Sequence, residues 1–168
     1  MLFKEIDLKS LKINPFVMLK DEWALLTAGN EEKHNTMTIA WGSLGVLWNK
    51  PVFVVVVRPQ RYTKVFLDNN EMFTVSFFSY EYKNALQLLG TKSGKDCDKI
   101  AESGITPMIS DRTVAFEEAH TVFVCKKLHG GQPLDPVVFI DKSIDSTIYP
   151  DKDYHYYYTG EIVKVLQK

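Results

Sequence analysis

Cysteine is scarce: Cys97 and Cys125 are the only two, and they stand in unrelated surroundings. A disulfide framework and a paired metal-ligand spacing are both excluded, and a reducing compartment is the simpler expectation. The four histidines, His34, His120, His129 and His155, are scattered without HxxxH spacing, so no protein metal site is expected. Long apolar runs are also missing. The longest, Val52 to Val57, falls far short of the ~20 residues of a membrane helix and has the length of a buried strand. The amino-terminal stretch MLFKEIDLKSLK alternates apolar and charged residues and lacks the features of a signal peptide, which points to a cytoplasmic location away from membranes. Neither sign of charge is in excess. Twenty Lys and Arg against 21 Asp and Glu leave a formal charge of -1, which provides no global field for nucleic acid or an anionic membrane. No GxGxxG, GxxxxGK[ST] or GxSxG string occurs, which removes the Rossmann, P-loop and nucleophile-elbow readings. With no repeat, low-complexity segment or linker, residues 1–168 read as one domain.

What is present is apolar and aromatic. With 168 residues, 45% of them hydrophobic and 12% aromatic, the chain can bury one continuous core. WALLTA (23–28) and 36–41 read as strands of a hairpin around the polar turn GNEEKHN, and 42–51 reads as a Gly-rich connection. PVFVVVV is β-branched and apolar on both faces, the composition of a central strand. Residues 61–69 carry Tyr62, Val65 and Phe66 at helical spacing, MFTVSFF is a strand, and EYKNALQLLG is a helix stopped by Gly90. A polar loop, 92–99, leads to a short helix near 99–103. TVAFEEA, TVFVCKKL, PVVFI and HYYYTGEIVKVLQ are strand-like, separated by Gly130-Gly131 and Pro-Asp turns. Strands follow strands without regular crossover helices, so the expected fold is mainly β: a closed antiparallel barrel with a few short helices.

Three segments could carry chemistry. RPQRYTK (58–64) places two arginines and a threonine where an apolar strand gives way to a helix. Unpaired helix N–H groups, guanidinium forks and a hydroxyl would there suit a phosphate. From this string alone a capped helix with solvated arginines is the commoner reading. NTMTIAWGS (35–43) surrounds Trp41 with small and hydroxyl residues at a strand end, where backbone can approach a planar ring; Trp41 as ordinary core is the competing reading. TKSG (91–94) is a loop with a cation that could cover such a ring. His155 could touch a ring edge but reads more simply as a structural strand histidine, and Cys97, between Lys95 and Lys99, as a plain loop cysteine.

Taken in order, NTMTIAWGSLGVLWNKPVFVVVVRPQRYT, FTVSFF, TKSGKDCDK and DYHYYYTGEIV resemble the flavin reductase-like family of FMN-binding split barrels, the flavoredoxin type. The resemblance spans nearly the whole chain. It implies a six-stranded split barrel, a homodimer with FMN near the subunit interface, and electron transfer through the flavin or its reduction by NADH or NADPH. It further implies that Met37, Thr38, Ala40 and Trp41 lie along the flavin, that Arg58, Arg61 and Thr63 serve its phosphate, and that Lys92 and Ser93 approach the ring from the loop. Trp41 and Gly42 depart from the Ser- and Asn-rich version of this strand in many flavin reductases. Two functions stay open: an NAD(P)H-dependent flavin reductase, and a flavoredoxin-like carrier that receives electrons from a redox partner protein. A third reading, a barrel for single-stranded nucleic acid, has 21 aromatics and the Arg58/Arg61 pair in its favour and the charge of -1 against it.

Overall fold

The computed structural model describes residues 2–168. The chain opens with a two-residue strand, β1 (Lys4–Glu5), and a helical turn, α1 (Pro15–Val17), that widens through Met18–Glu22. Asn14 caps it, its side-chain oxygen accepting from the N–H groups of Phe16 and Val17. There follow β2 (Ala24–Gly29), β3 (His34–Ile39), β4 (Gly42–Leu47), β5 (Lys50–Val57), α2 (Thr63–Asn69), β6 (Met72–Phe77), α3 (Lys83–Thr91) and α4 (Lys99–Ser103). The remainder is β7 (Pro107–Ser110), β8 (Thr113–Phe116), β9 (Thr121–Pro133), α5 (Ser143–Ile148) and β10 (Tyr156–Gln167). No helix among the described residues is long and apolar enough to cross a membrane.

One antiparallel sheet runs β3-β2-β6-β9-β10-β5-β4, with β1 added beside β10, and β7 and β8 form a separate hairpin. The mainly β class agrees with expectation, but the barrel is not closed. Among the described residues no ladder joins the two edges, β3 and β4. Yet these edges are consecutive in the chain and separated only by Ala40 and Trp41. A flat sheet of seven strands would put its edges about 29 Å apart. The three Cα steps from Ile39 to Gly42 span at most about 11 Å. The sheet must therefore curl until its edges nearly meet, and it stays split at the Ala40–Trp41 joint.

The strands' periodicity explains the core. In β2, Ala24, Leu26 and Ala28 point into the curl with Phe53, Phe73, Phe77 and Phe123, whereas Leu25 points outward with Leu86, Leu89, Phe116 and Val122 beneath α3 and the β7–β8 hairpin. Both faces are buried, which is why these strands read as unbroken apolar runs. Gly160 belongs to the same packing. A Cβ there would stand 2.5 Å from the Phe73 ring.

Four expectations need correction, three of them at glycines. The connection expected at 42–51 is instead β4 and a two-residue turn, Trp48-Asn49, with φ of 52° and 58°. That is hairpin geometry of the primed type reached without glycine, while Gly42 opens the strand, where a Cβ would lie 2.7 Å from the Val54 carbonyl. Gly130-Gly131 does not end β9: both adopt positive φ, and the β9–β10 register shifts opposite them, as at a bulge. Gly90 does not stop α3, which continues to Thr91; its missing side chain lets the helix lie on β3, since a Cβ would stand 3.0 Å from that of Thr38. PVVFI is not a strand either, because Pro136 opens a single helical turn that Asp135 caps.

Candidate functional site

At the Ala40–Trp41 split the curled sheet leaves a groove made of two adjoining cavities. One is lined by β3's end, the joint, Val56 of β5 and His155; the other by the 58–63 segment, the loop after α3 and Lys99. Met37, Arg58 and Arg61 line both, which makes the groove continuous. All nine residues singled out from sequence meet here. Met37, Thr38, Ala40 and Trp41 wall the apolar half, Thr63, Lys92 and Ser93 the polar half, and Arg58 and Arg61 stand between.

Their side chains are not equally free. Arg58 is committed: its guanidinium pairs with Asp153, donates to the Ile148 carbonyl at 3.0 Å and lies over the Tyr149 ring. The Thr38 hydroxyl is bonded to the Leu86 carbonyl and so fastens α3 to β3. Lys92 pairs with Glu102 on the exposed side of its loop. Trp41 stands half-exposed at the groove mouth. The helix end is also less open than expected, because the N–H groups of Lys64 and Val65 already reach the carbonyls of Arg61 and Tyr62.

Arg61 differs from Arg58. It donates to the Gly90 carbonyl at 2.6 Å and has no carboxylate partner, and burial together with the neighbouring Arg58 holds its pKa below the ordinary arginine value. Beside it stands Lys99, a residue the sequence argument did not select. Its ammonium is buried, donating to the carbonyls of Leu89 at 2.7 Å and Lys92 at 3.0 Å, again without a carboxylate. Burial, with Arg61 adding repulsion, brings Lys99 down to about 8. A buried cation held only by carbonyls costs stability until an anion joins it. Buried Lys99 and part-buried Arg61 line one cavity.

Asn35 and Gly94 complete that end. Asn35 Nδ2 donates to the buried Thr63 hydroxyl oxygen at 2.8 Å, leaving the threonine proton free to be donated. A Cβ on Gly94 would lie 2.2 Å from Asn35 Oδ1, so only glycine lets the loop close over this corner. Asn35 and Gly94 belong to segments singled out from sequence, but Lys99 does not, and nothing in the sequence signals that the three meet. Lysine is almost never buried, so Lys99 looked like one more charge in a polar loop, and nothing local links Asn35 to residues 28 and 59 positions away.

A buried hydroxyl, an arginine and a lysine without carboxylate partners, and a close-packed glycine in the loop offer the donors that a phosphate-like dianion would need. The adjoining half offers apolar walls to a planar ring. The sequence matches the family model described as the flavin reductase like domain over residues 19–166. The chain belongs to the flavin reductase-like family. Among curated proteins nothing matches significantly. Solved structures with the same fold include the flavoredoxin of Methanosarcina acetivorans, at 23% identity over 95% of this chain and 75% of that one, with a TM-score of 0.68. The flavoredoxin of Desulfovibrio vulgaris (Miyazaki F) gives 21% over 87% and 69%, TM-score 0.67. An FMN-binding protein of Thermus thermophilus with bound p-hydroxybenzaldehyde gives 20% over 87% and 71%, TM-score 0.66. At these identities the likeness establishes the fold.

Proposed function

We propose that the groove binds FMN and that the protein is an NAD(P)H-dependent flavin reductase. The observation that carries the reading is the pairing, in one groove, of a buried lysine and a part-buried arginine without carboxylate partners at one end with an apolar slot at the other. Arg61, Lys99 and the Thr63 hydroxyl would hold the phosphate, with Arg58 lining the passage and Ser93 shaping the loop. Met37, Ala40 and Trp41 would lie along the ring, with Thr38 fixing β3 against α3. Flavin, when bound, supplies hydride and single-electron chemistry, so the chain's own tasks are to anchor, orient and keep the ring from bulk water. Large apolar side chains exposed on the surface, among them Trp48 at 62% and Ile140 at 98%, support a homodimer.

The alternative within the same site is an FMN carrier reduced by a redox partner protein, which the half-exposed mouth at Trp41 would equally admit. An absorbance spectrum after FMN addition and desalting, followed by anaerobic NADH and NADPH, separates the two. Retained flavin bands that bleach with a nucleotide are the expected result. Bands that persist select the carrier, and a colourless protein overturns the flavin reading.

A further inference from the structure

At the apolar end His155 lies 5.2 Å from Trp41, ring centre to ring centre, and its Nδ1 stands 2.8 Å from the Tyr149 hydroxyl. Tyr149 is buried, and burial raises its pKa, so the phenol keeps its proton. Among the described residues that hydroxyl has no side-chain partner other than His155. If Nδ1 carried the imidazole proton and donated it to the phenol, the phenol's own proton would be left without an acceptor in an apolar setting. With the phenol as donor both groups are satisfied, and the imidazole proton sits on Nε2. Among the described residues Nε2 has no partner, but it is not sealed in the core: the buried polar side-chain atoms without partners there are Ser76 Oγ and Thr113 Oγ1. It keeps some access to solvent, on a residue that lines the groove.

Of the other donors lining this cavity, Thr38 is bonded to the Leu86 carbonyl and Arg58 to Asp153 and Ile148. The charges facing the imidazole are Arg58 and Arg61, which oppose its protonation, and Asp153, which favours it; with burial the balance leaves the ring neutral down to about 4. We propose that Tyr149 acts as a positioning residue that fixes His155 as an Nε2–H donor, and that this donor binds a carbonyl oxygen of the planar ring seated at the apolar end. The inference rests on the flavin reading above. A flavin ring carries such oxygens, and a fixed Nε2–H tautomer keeps a donor available to them.

The test combines 15N NMR of the histidine side chains, with His155 assigned through His155→Gln, and fluorescence titration with two probes, lumiflavin for the ring site and inorganic phosphate for the cationic end. The wild-type protein should show the Nε2–H tautomer at neutral pH. His155→Ala should bind lumiflavin about tenfold more weakly, the size of one neutral hydrogen bond, while His155→Gln, whose amide reaches the same place, stays within about threefold. Tyr149→Phe should mix the tautomers and weaken lumiflavin by about three- to fivefold. Phosphate affinity should not change in any of the three. An Nδ1–H tautomer in the wild type, or equal lumiflavin affinity in wild type and His155→Ala, overturns the inference alone. Should the wild type bind phosphate but no lumiflavin, the flavin reading fails and this inference with it. If His155→Ala does not fold, the tautomer and the other two variants still decide.

Discussion

The two arginines of one short segment, Arg58 and Arg61, lie at the junction of the groove's two halves and have opposite surroundings. Arg58 has a carboxylate, a carbonyl and an aromatic face; Arg61 has one carbonyl and a neighbouring ammonium. The first set is complete within the chain, as in a structural ion pair. The second leaves two positive charges under-compensated in a partly dry cavity, which makes sense when an anion supplies what is missing. Spacing in a sequence shows where charges cluster, but only the set of partners separates an anchor from a binding group.

The sharpest way to break that comparison is to truncate each arginine. Arg61→Ala should weaken FMN binding by about 1.5–3 kcal/mol, the scale of a charge-assisted hydrogen bond, with little change in the thermal midpoint. Arg58→Ala should instead lower the midpoint and loosen the 148–155 segment in hydrogen exchange. Equal losses of FMN affinity would erase the distinction. Next in size is Lys99→Met, expected to weaken FMN about tenfold while stabilising the flavin-free protein by about 1 kcal/mol, because an apolar side chain replaces a buried uncompensated charge. A lower midpoint for the flavin-free variant would show that Lys99 is structural.

The pH dependence should also differ between the two ends. Lys99 has a folded value of about 8 against 10.5 for the free side chain, so the unfolded chain binds more protons between these values and the flavin-free protein should gain stability as pH rises through that window. FMN affinity should move the other way, falling by up to about tenfold per unit above pH 8 as the ammonium is lost. His155, at about 4 against 6.5, should take stability away as pH falls from 6.5 to 4. Thermal denaturation and FMN titration across pH 4–10 would show both windows; a single flat profile would contradict them. The smallest effect belongs to Lys92→Gln, whose exposed pair with Glu102 should leave the midpoint unchanged.

Much of this site was legible beforehand because it follows short-range rules. RPQRYT sits where strand gives way to helix, and NTMTIAWGS ends a strand, so local patterning brought Trp41, Arg61 and Thr63 forward and the family resemblance added Met37. What stayed hidden depends on contacts across the chain. Lys99 looks like surface until α3 and the loop fold over it, and His155 gains significance only beside Tyr149 and Trp41. In the fold, glycine misled most. Gly42, Gly90 and the 130–131 pair suggested breaks, whereas they serve as close-approach points and a bulge inside continuous elements. Closure was misjudged for a related reason: alternation reveals a two-faced sheet but not whether its edges hydrogen-bond.

The place of β10 has a consequence for how the molecule is made. That strand pairs with β9 on one side and β5 on the other, and β5 lies about a hundred residues earlier in sequence. Until Tyr156–Gln167 docks, the sheet consists of two separate pieces, each with a bare edge of backbone donors and acceptors. Such a chain gains its cooperative stability in one late step, and loop-closure entropy makes that step slow relative to the local hairpins. A nick in the exposed 134–148 segment before docking would leave both pieces free to pair with strangers.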